Sequence, residues 1–142
     1  YLDAHFKQMA DIDLSGYENW EPIGVYQSEF TGTYDGNGHT VSNLTINSTQ
    51  NNLGLFGYCY GVTIKNLVLT NVTIQGKPDS SQSIGALASL ISTNSTITNC
   101  SSFGNVSGYW LVGGLLGHIY NRCSLERCYS AVMCRDISMW AG

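Results

Sequence analysis

The sequence predicts an all-β protein, a right-handed parallel β-helix with about three short strands per coil. Of its 142 residues only 11% are charged and two are Pro, whereas Gly, Ser, Thr and Asn are abundant. This composition is typical of short strands joined by tight turns. One pattern also recurs with a period of 28 to 33 residues, which indicates a repeat architecture. An antiparallel sandwich would explain the alternation, but not the return of like residues at one position of every repeat.

Each repeat opens on a Gly-rich apolar segment and continues, several residues later, with alternating apolar and hydroxyl residues. The copies pair residues 54–57 with 62–67, 85–88 with 95–100, and 114–117 with 123–128, and residues 39–44 form a degenerate earlier copy. One repeat cannot bury its apolar side alone, whereas stacked repeats with parallel strands can. The repeats therefore predict a solenoid.

Alternation within the repeats predicts three columns of inward-facing side chains. They consist of Val41, Ile64, Ile97 and Leu125; of Leu44, Leu67, Cys100 and Cys128; and of Val72, Val106 and Cys134. A column of hydroxyls should lie outside, formed by Thr40, Thr63, Thr96 and Ser124. The pattern slips by one residue at Asn43, Asn66 and Asn99, where a bend is needed. Because Asn tolerates the left-handed conformation, we expect these three to form one ladder at a corner.

Five cysteines, an odd number, argue against a fully paired disulfide framework. We expect Cys100 and Cys128 to be buried, stacked on adjacent coils and not bonded to each other. The spacing of Cys123 and Cys128 lacks a zinc pattern. No metal and no cofactor is expected.

The repeats resemble the GLUG motif, which runs roughly Gly-Gly-Leu-hydrophobic-Gly, then Thr-Ile-x-Asn-Cys, then Gly-Asn-Val-x-Gly. The matching segments are Gly113–Gly117, Thr96–Cys100 and Gly104–Gly108. The resemblance implies a parallel β-helix of bacterial or archaeal surface proteins, adhesin-like proteins and the repeat regions of IgA-cleaving metallopeptidases. It implies no defined catalytic residues. The last repeat departs from the motif, because Arg127 stands where the turn Asn is expected.

We expect one β-helix domain fragment over residues 1–142, with N-terminal strands and a cap-like region in 1–38 and stacked repeats in 39–142. The closing residues Met139–Gly142 are similar to the lead-in of a further repeat. The ends are therefore expected to be cuts through a longer solenoid, which predicts end-to-end self-association at high concentration.

Charge and hydropathy exclude two classes of partner. The net charge is −4 without a basic cluster, which disfavours nucleic acid. No apolar run is long enough to span a bilayer.

The alternative function is a fragment of a β-helical polysaccharide lyase or hydrolase, but the acidic residues show no pair at one position of adjacent repeats. An ice-binding face along the hydroxyl column is a third hypothesis, which the charged neighbours Lys65 and Glu126 disfavour.

Aromatic residues are the main indication of a binding site. Tyr58 and Tyr60 follow Gly57, and Tyr109 with Trp110 lies at what should be the matching side of a later coil. Exposed rings among Asn and Thr suit glycan or protein contacts, although capping of the core is the alternative. We expect a non-catalytic structural or adhesive module of a secreted or cell-surface protein, which presents loops to a glycan or to a host or neighbouring surface protein.

Overall fold

A computed structural model describes residues 2–78 and 82–136, with the side chain of Asp136 excepted. It confirms the predicted fold class, since these residues form a parallel β-solenoid of about five turns without a helix. The strands are β1 His5–Lys7, β2 Ile12–Asp13, β3 Thr33–Asp35, β4 Thr40–Ser42, β5 Thr45–Asn47, β6 Asn52–Leu53, β7 Phe56–Tyr60, β8 Thr63–Gln75, β9 Ser83–Gly85, β10 Ala88–Ser92, β11 Thr96–Gly108, β12 Leu111–Gly113, β13 Leu116–Tyr120, β14 Ser124–Glu126 and β15 Tyr129–Asp136.

The strands stack into three sheets. A large sheet has the order β1-β3-β8-β11-β14, and β2, β4, β5 and β15 pair along the same surface. The tyrosine sheet is β13-β10-β7, and the small sheet is β12-β9-β6. One complete coil is thus β8, β9 and β10, which agrees with the expected three strands per coil. The first of them is long, however, at 13 residues.

Left-handed residues bend the long strands. In β8, Asn66 (φ 57°) and Asn71 (φ 52°) divide the strand into three straight segments, which pair with β3, β4 and β5 of the preceding coil. In β11, Asn99 (φ 52°) keeps the first bend. The second bend is one residue shorter there, where the register shifts between Ser102 and Gly104, and Gly104 has φ 148°.

The strand register corrects the first predicted column. Ile64, Ile97 and Leu125 do stack, but their neighbour in the earlier coil is Tyr34. Val41 stacks on Leu69 instead. The hydroxyl column likewise begins at Thr33, because Thr40 pairs with Val68. The prediction was wrong by one segment, since β3 and β4 both alternate and a four-residue turn at residues 36–39 separates them, where β8 has only two residues.

The third predicted column is also wrong in part. Val106 stacks on Ile74 and on Cys134, as β11 pairs with β8 and β15. Val72 lies beside Gly104. With the register of the first part of β11, Val106 would lie opposite Thr73; the shorter second bend moves it one position further, opposite Ile74.

The inward side chains form one continuous core that is covered except at the two ends. Ile64, Leu67 and Ile97 are fully buried in the central coils. At the N-terminal edge, Phe6 remains 44% exposed although it pairs in register with Tyr34. At the other edge of the described chain, Leu125 is 43% exposed. Burial therefore depends on having a coil on both sides.

Two ladders of hydrogen-bonded side chains follow the bends, where one had been predicted. In the first, Asn66 Nδ2 donates to Asp35 Oδ1 (3.1 Å) and Asn99 Nδ2 donates to Asn66 Oδ1 (3.0 Å). Arg127 continues its backbone path with φ 52°.

The second ladder lies at the second bend of β8, at Asn71. Asn43 Nδ2 donates to Asp13 Oδ1 (2.8 Å), and Asn71 Nδ2 donates to Asn43 Oδ1 (2.7 Å). Asn43 thus belongs with Asn71 rather than with Asn66. Each ladder begins at an aspartate, which only accepts hydrogen bonds and so fixes the direction of every amide after it.

We expect the stability of the fold to fall on acidification because of the two ladder aspartates. The backbone N–H of Asn37 and the Asn66 amide lower the pKa of Asp35 below its ordinary 3.8. The Asn43 amide, followed by the N–H of Ser15, lowers the pKa of Asp13. A carboxyl with a lowered folded pKa stabilises the fold above the unfolded pKa, and this contribution disappears as pH falls through the folded value.

Denaturant titrations at pH 7 and pH 3 measure this effect. The double variant Asp13→Asn/Asp35→Asn keeps an acceptor oxygen on each ladder but has no titrating group there. It should lose less unfolding free energy between the two pH values than the native chain. An equal loss in both proteins would contradict a contribution from the ladders.

All five cysteines are free thiols. Cys100 is buried and lies in register with Leu67, as predicted. Burial raises its pKa to about 12. Cys128 is only half-buried, so that part of the prediction was wrong. Its position in the last described coil explains the difference, because no further described coil covers it.

Candidate functional site

Alternation in the tyrosine sheet points two tyrosines of β7 outwards. Gly57 and Cys59 are buried on the inner face, whereas Tyr60 is 50% exposed and Tyr58 is partly exposed. Parallel pairing sets Tyr58 in one outer row with Leu90 and His118, and Tyr60 in a second row with Ser92 and Tyr120. The predicted residues Tyr58 and Tyr60 therefore lie on a sheet surface rather than in a loop.

Ring contacts join these rows across the coils. The hydroxyl oxygens of Tyr58 and Tyr120 are 3.1 Å apart, although β10 lies between their strands. The His118 and Tyr120 rings meet edge to face at 4.9 Å, and Tyr26 meets Tyr58 in the same way at 6.1 Å. We define the tyrosine surface as Tyr26, Tyr58, Tyr60, Leu90, His118 and Tyr120.

A tight turn in the first coil presents Tyr26. Val25 and Ser28 exchange backbone hydrogen bonds of 3.0 and 2.9 Å, and Gln27 between them has φ 71°. The Gln27 N–H also donates to Glu29 Oε1 at 2.9 Å, which holds the left-handed residue in place. Tyr26 is consequently 69% exposed at the tip of the turn.

The tyrosine surface carries little charge. No Lys, Arg, Asp or Glu occurs in β7, β10 or β13. The hydrogen bond with Tyr120, with partial burial and the negative charge of Glu29, raises the pKa of Tyr58 to about 12. The Tyr58 hydroxyl therefore stays neutral near pH 7 and can donate or accept a hydrogen bond.

Tyr109 and Trp110 lie apart from this surface. They precede β12, at the corner that leads from the large sheet into the small sheet. Trp110 is 61% exposed and Tyr109 is partly buried. Among the four residues predicted for the site, the structure brings Tyr58 and Tyr60 together and separates them from this second pair.

The polar chemistry of the described residues is that of hydrogen bonding. Within residues 2–78 and 82–136, no three His, Cys, Asp or Glu side chains are grouped as metal ligands. Asp13 and Asp35 bind the ladder amides, and Asp11 Oδ1 accepts from the Thr40 N–H at 2.9 Å. The same ranges contain no helix long and apolar enough to cross a membrane. The tyrosine surface offers aromatic faces and neutral hydroxyls, which suit contact with a ligand.

No family model matches the chain, so the GLUG resemblance rests on the sequence motifs alone. The chain is 37% identical to halomucin of Haloquadratum walsbyi, in an alignment over 78% of this chain and 1% of that protein. It is 34% identical to the preneck appendage protein of Bacillus phage PZA over 78% of this chain and 11% of that protein. It is also 39% identical to a Gly-rich membrane protein of Evansella cellulosilytica, over 52% and 10%. The chain thus spans a small part of each relative.

A crystal structure supports the fold independently. A protein described as an immunoglobulin A1 protease from Bacteroides ovatus superposes with a TM-score of 0.71, over 90% of this chain and 40% of that one. The sequence identity is 22%. At that identity the likeness concerns the fold alone, a β-solenoid.

Proposed function

We propose that this chain is a non-catalytic structural or adhesive module of a secreted or cell-surface protein, and that the tyrosine surface binds its partner. The contact between Tyr58 and Tyr120 supports this most, because it joins three adjacent strands into one outward aromatic surface. Such a surface provides contact area and neutral hydrogen-bonding groups without a catalytic arrangement. The partner is a glycan or a protein of a host or neighbouring surface.

The relatives support the proposed location. They include a membrane protein and a phage appendage protein, and both descriptions fit a module displayed outside a cell or particle. Since the chain covers at most 11% of these proteins, the activity of a parent protein forms no part of the proposal.

Rigidity supports a binding role for the solenoid. The ladders and the parallel strands hold the outer rows in fixed positions before any partner arrives. Tyrosine has few rotatable bonds, so ordering it at an interface costs little conformational entropy. The module therefore meets a partner with a preformed surface.

Binding to a glycan array and to surface-protein extracts, followed by surface plasmon resonance on each hit, tests the proposal. Tyr60→Ala should weaken binding, whereas Trp110→Ala, which removes an exposed ring at the other corner, should leave it unchanged. The reverse result would place the site at Tyr109 and Trp110. Turnover of pectin, alginate or a similar polymer by the purified chain would overturn the non-catalytic proposal.

We also propose that copies of the chain associate end to end at high concentration. Phe6 at one edge and Leu125 at the other belong to one inward column, which runs through Tyr34, Ile64 and Ile97. If a second copy stacked on the first as one coil stacks on the next, the Phe6 edge of one copy would lie on the Leu125 edge of the other in parallel register. Such a head-to-tail contact is open and can continue into chains of molecules.

Sedimentation velocity over a range of concentrations should show growing species for the native chain. Leu125→Lys should suppress them, because a charge on an edge strand opposes pairing. Thr98→Lys, on the outer side of β11, is the matched control and should leave association unchanged. A native chain that stays monomeric throughout would overturn the proposal.

A further inference from the structure

A groove runs beside Tyr26, in the first coil. Its lining consists of Val25, Tyr26, Gln50, Asn51 and Asn52, and its volume is about 370 Å³. This is within the range of roughly 300–1,000 Å³ that holds small ligands in proteins. The groove lies between the turn of the first coil and the segment that enters β6.

Three consecutive amide side chains provide hydrogen-bonding groups in the groove. Asn52 Oδ1 accepts from Ser89 Oγ at 3.0 Å, which leaves its Nδ2 as a donor. Gln50 Nε2 donates to Glu21 Oε2 at 3.4 Å, which leaves its Oε1 as an acceptor. The Asn51 side chain forms no hydrogen bond within residues 2–78 and 82–136. The groove therefore presents both donors and acceptors beside an aromatic ring.

A buried glutamine fixes this segment from below. Gln82 is fully buried, and its Nε2 donates to the carbonyl oxygens of Ser48 (2.9 Å) and Gln50 (2.7 Å). Its Oε1 accepts from the Lys77 N–H at 2.8 Å. The Asn51 carbonyl in turn accepts from the Ser83 N–H at 2.8 Å. The backbone that carries the amides is thus held in place before a ligand binds.

Charge around the groove selects against anionic ligands. No Lys or Arg lines it. The nearby charged groups are negative: Glu21 accepts from the lining residue Gln50, and Glu29 accepts from the Gln27 N–H next to Tyr26. A uronate or a sulfate would find no cation among the lining residues to neutralise it, which is unfavourable.

We propose that this groove is a subsite for a neutral oligosaccharide. The apolar face of one sugar ring packs on Tyr26, and its hydroxyls exchange hydrogen bonds with Gln50, Asn51 and Asn52. Adjacent sugars extend over Tyr58 onto the tyrosine surface, since the two rings are in contact. The subsite rests on the proposed function and adds the class of ligand to it.

Titration calorimetry with neutral oligosaccharides built from glucose, galactose, mannose or N-acetylglucosamine tests the subsite. Uronic-acid and sulfated oligosaccharides form the comparison set. At least one neutral sugar should bind, with heat that the acidic sugars do not give. Tyr26→Ala should weaken that binding by about tenfold, whereas Tyr26→Phe, which keeps the ring, should change it by less than about threefold.

Asn51→Ala should also weaken the binding, because it removes one pair of polar groups from the groove. Tyr26 and Asn51 are exposed, so the thermal midpoints of all three variants should match that of the native chain, and Trp110→Ala is the unaffected control. Neutral-sugar binding that Tyr60→Ala abolishes and both groove variants leave intact would overturn the subsite but keep the proposed function. Binding of acidic sugars alone, or of proteins alone at the tyrosine surface, would overturn the subsite too. A native chain that binds none of the sugars and none of the surface proteins would overturn both proposals.

Discussion

Replacing Gly104 by Ala is expected to lower the free energy of unfolding by about 2–5 kcal/mol, through backbone strain and overpacking together. Gly104 has φ 148°, a conformation that side-chain-bearing residues rarely adopt. A Cβ there would also overlap the carbonyl oxygen of Val72 in the adjacent coil. The Val72 carbonyl oxygen belongs to the backbone and not to the end of a flexible side chain, so β8 and β11 would have to separate. Urea denaturation followed by circular dichroism measures the loss.

Gly16→Ala is the matched control for this substitution. A Cβ at Gly16 meets nothing within 4 Å, and the residue is exposed. Its effect should stay within about 0.5 kcal/mol, as for most surface changes. Equal denaturation midpoints for the two variants would contradict the expected strain and overpacking at Gly104, in the second bend of β11.

Asn66→Leu should lower the free energy of unfolding by about 2–4 kcal/mol, as the sum of lost hydrogen bonds and backbone strain. Asn66 is left-handed, which a leucine tolerates poorly. Its amide also joins Asp35 to Asn99, so the substitution breaks the first ladder in the middle. Thermal and urea unfolding should both report the change.

Two further variants separate the contributions. Asn66→Gly keeps the left-handed backbone at low strain but loses the ladder, so it should be less destabilising than Asn66→Leu. Thr63→Ser changes only a methyl group of a partly exposed residue and should cost less than about 0.5 kcal/mol. Equal midpoints for Asn66→Leu and Thr63→Ser would refute a stabilising ladder.

The period of the repeat was sufficient to predict the solenoid, because stacked coils repeat the same environment at the same position. It also predicted the column of Ile64, Ile97 and Leu125. It failed in the second coil, where a four-residue turn at residues 36–39 replaces the two-residue bend of β8 and both flanking strands alternate. Alternation alone could not decide whether Thr33 or Thr40 begins the column, since either register satisfies one local pattern.

The repeat pattern likewise predicted part of the candidate site. Tyr58 and Tyr60 follow a Gly-rich segment of the repeat, and the same alignment places Tyr120 in their outer rows. Tyr26 could not be found in this way, because its turn belongs to a coil without the repeat motif. Tyr109 and Trp110 were assigned to the matching side wrongly: they precede their Gly-rich segment, whereas Tyr58 follows its own.

The direction of the backbone hydrogen bonds determines how this module responds to mechanical force. In a parallel solenoid these bonds run along the long axis, so a pull on the two ends of the chain opens them one after another, coil by coil. Thr63 and Thr96 lie in register 33 residues apart. Each coil that opens therefore releases about 100 Å of extended chain, at roughly 3.3 Å per residue. Such a solenoid lengthens in steps under load, and in the proposed adhesive role this would dissipate a sudden stress before the binding contacts are broken.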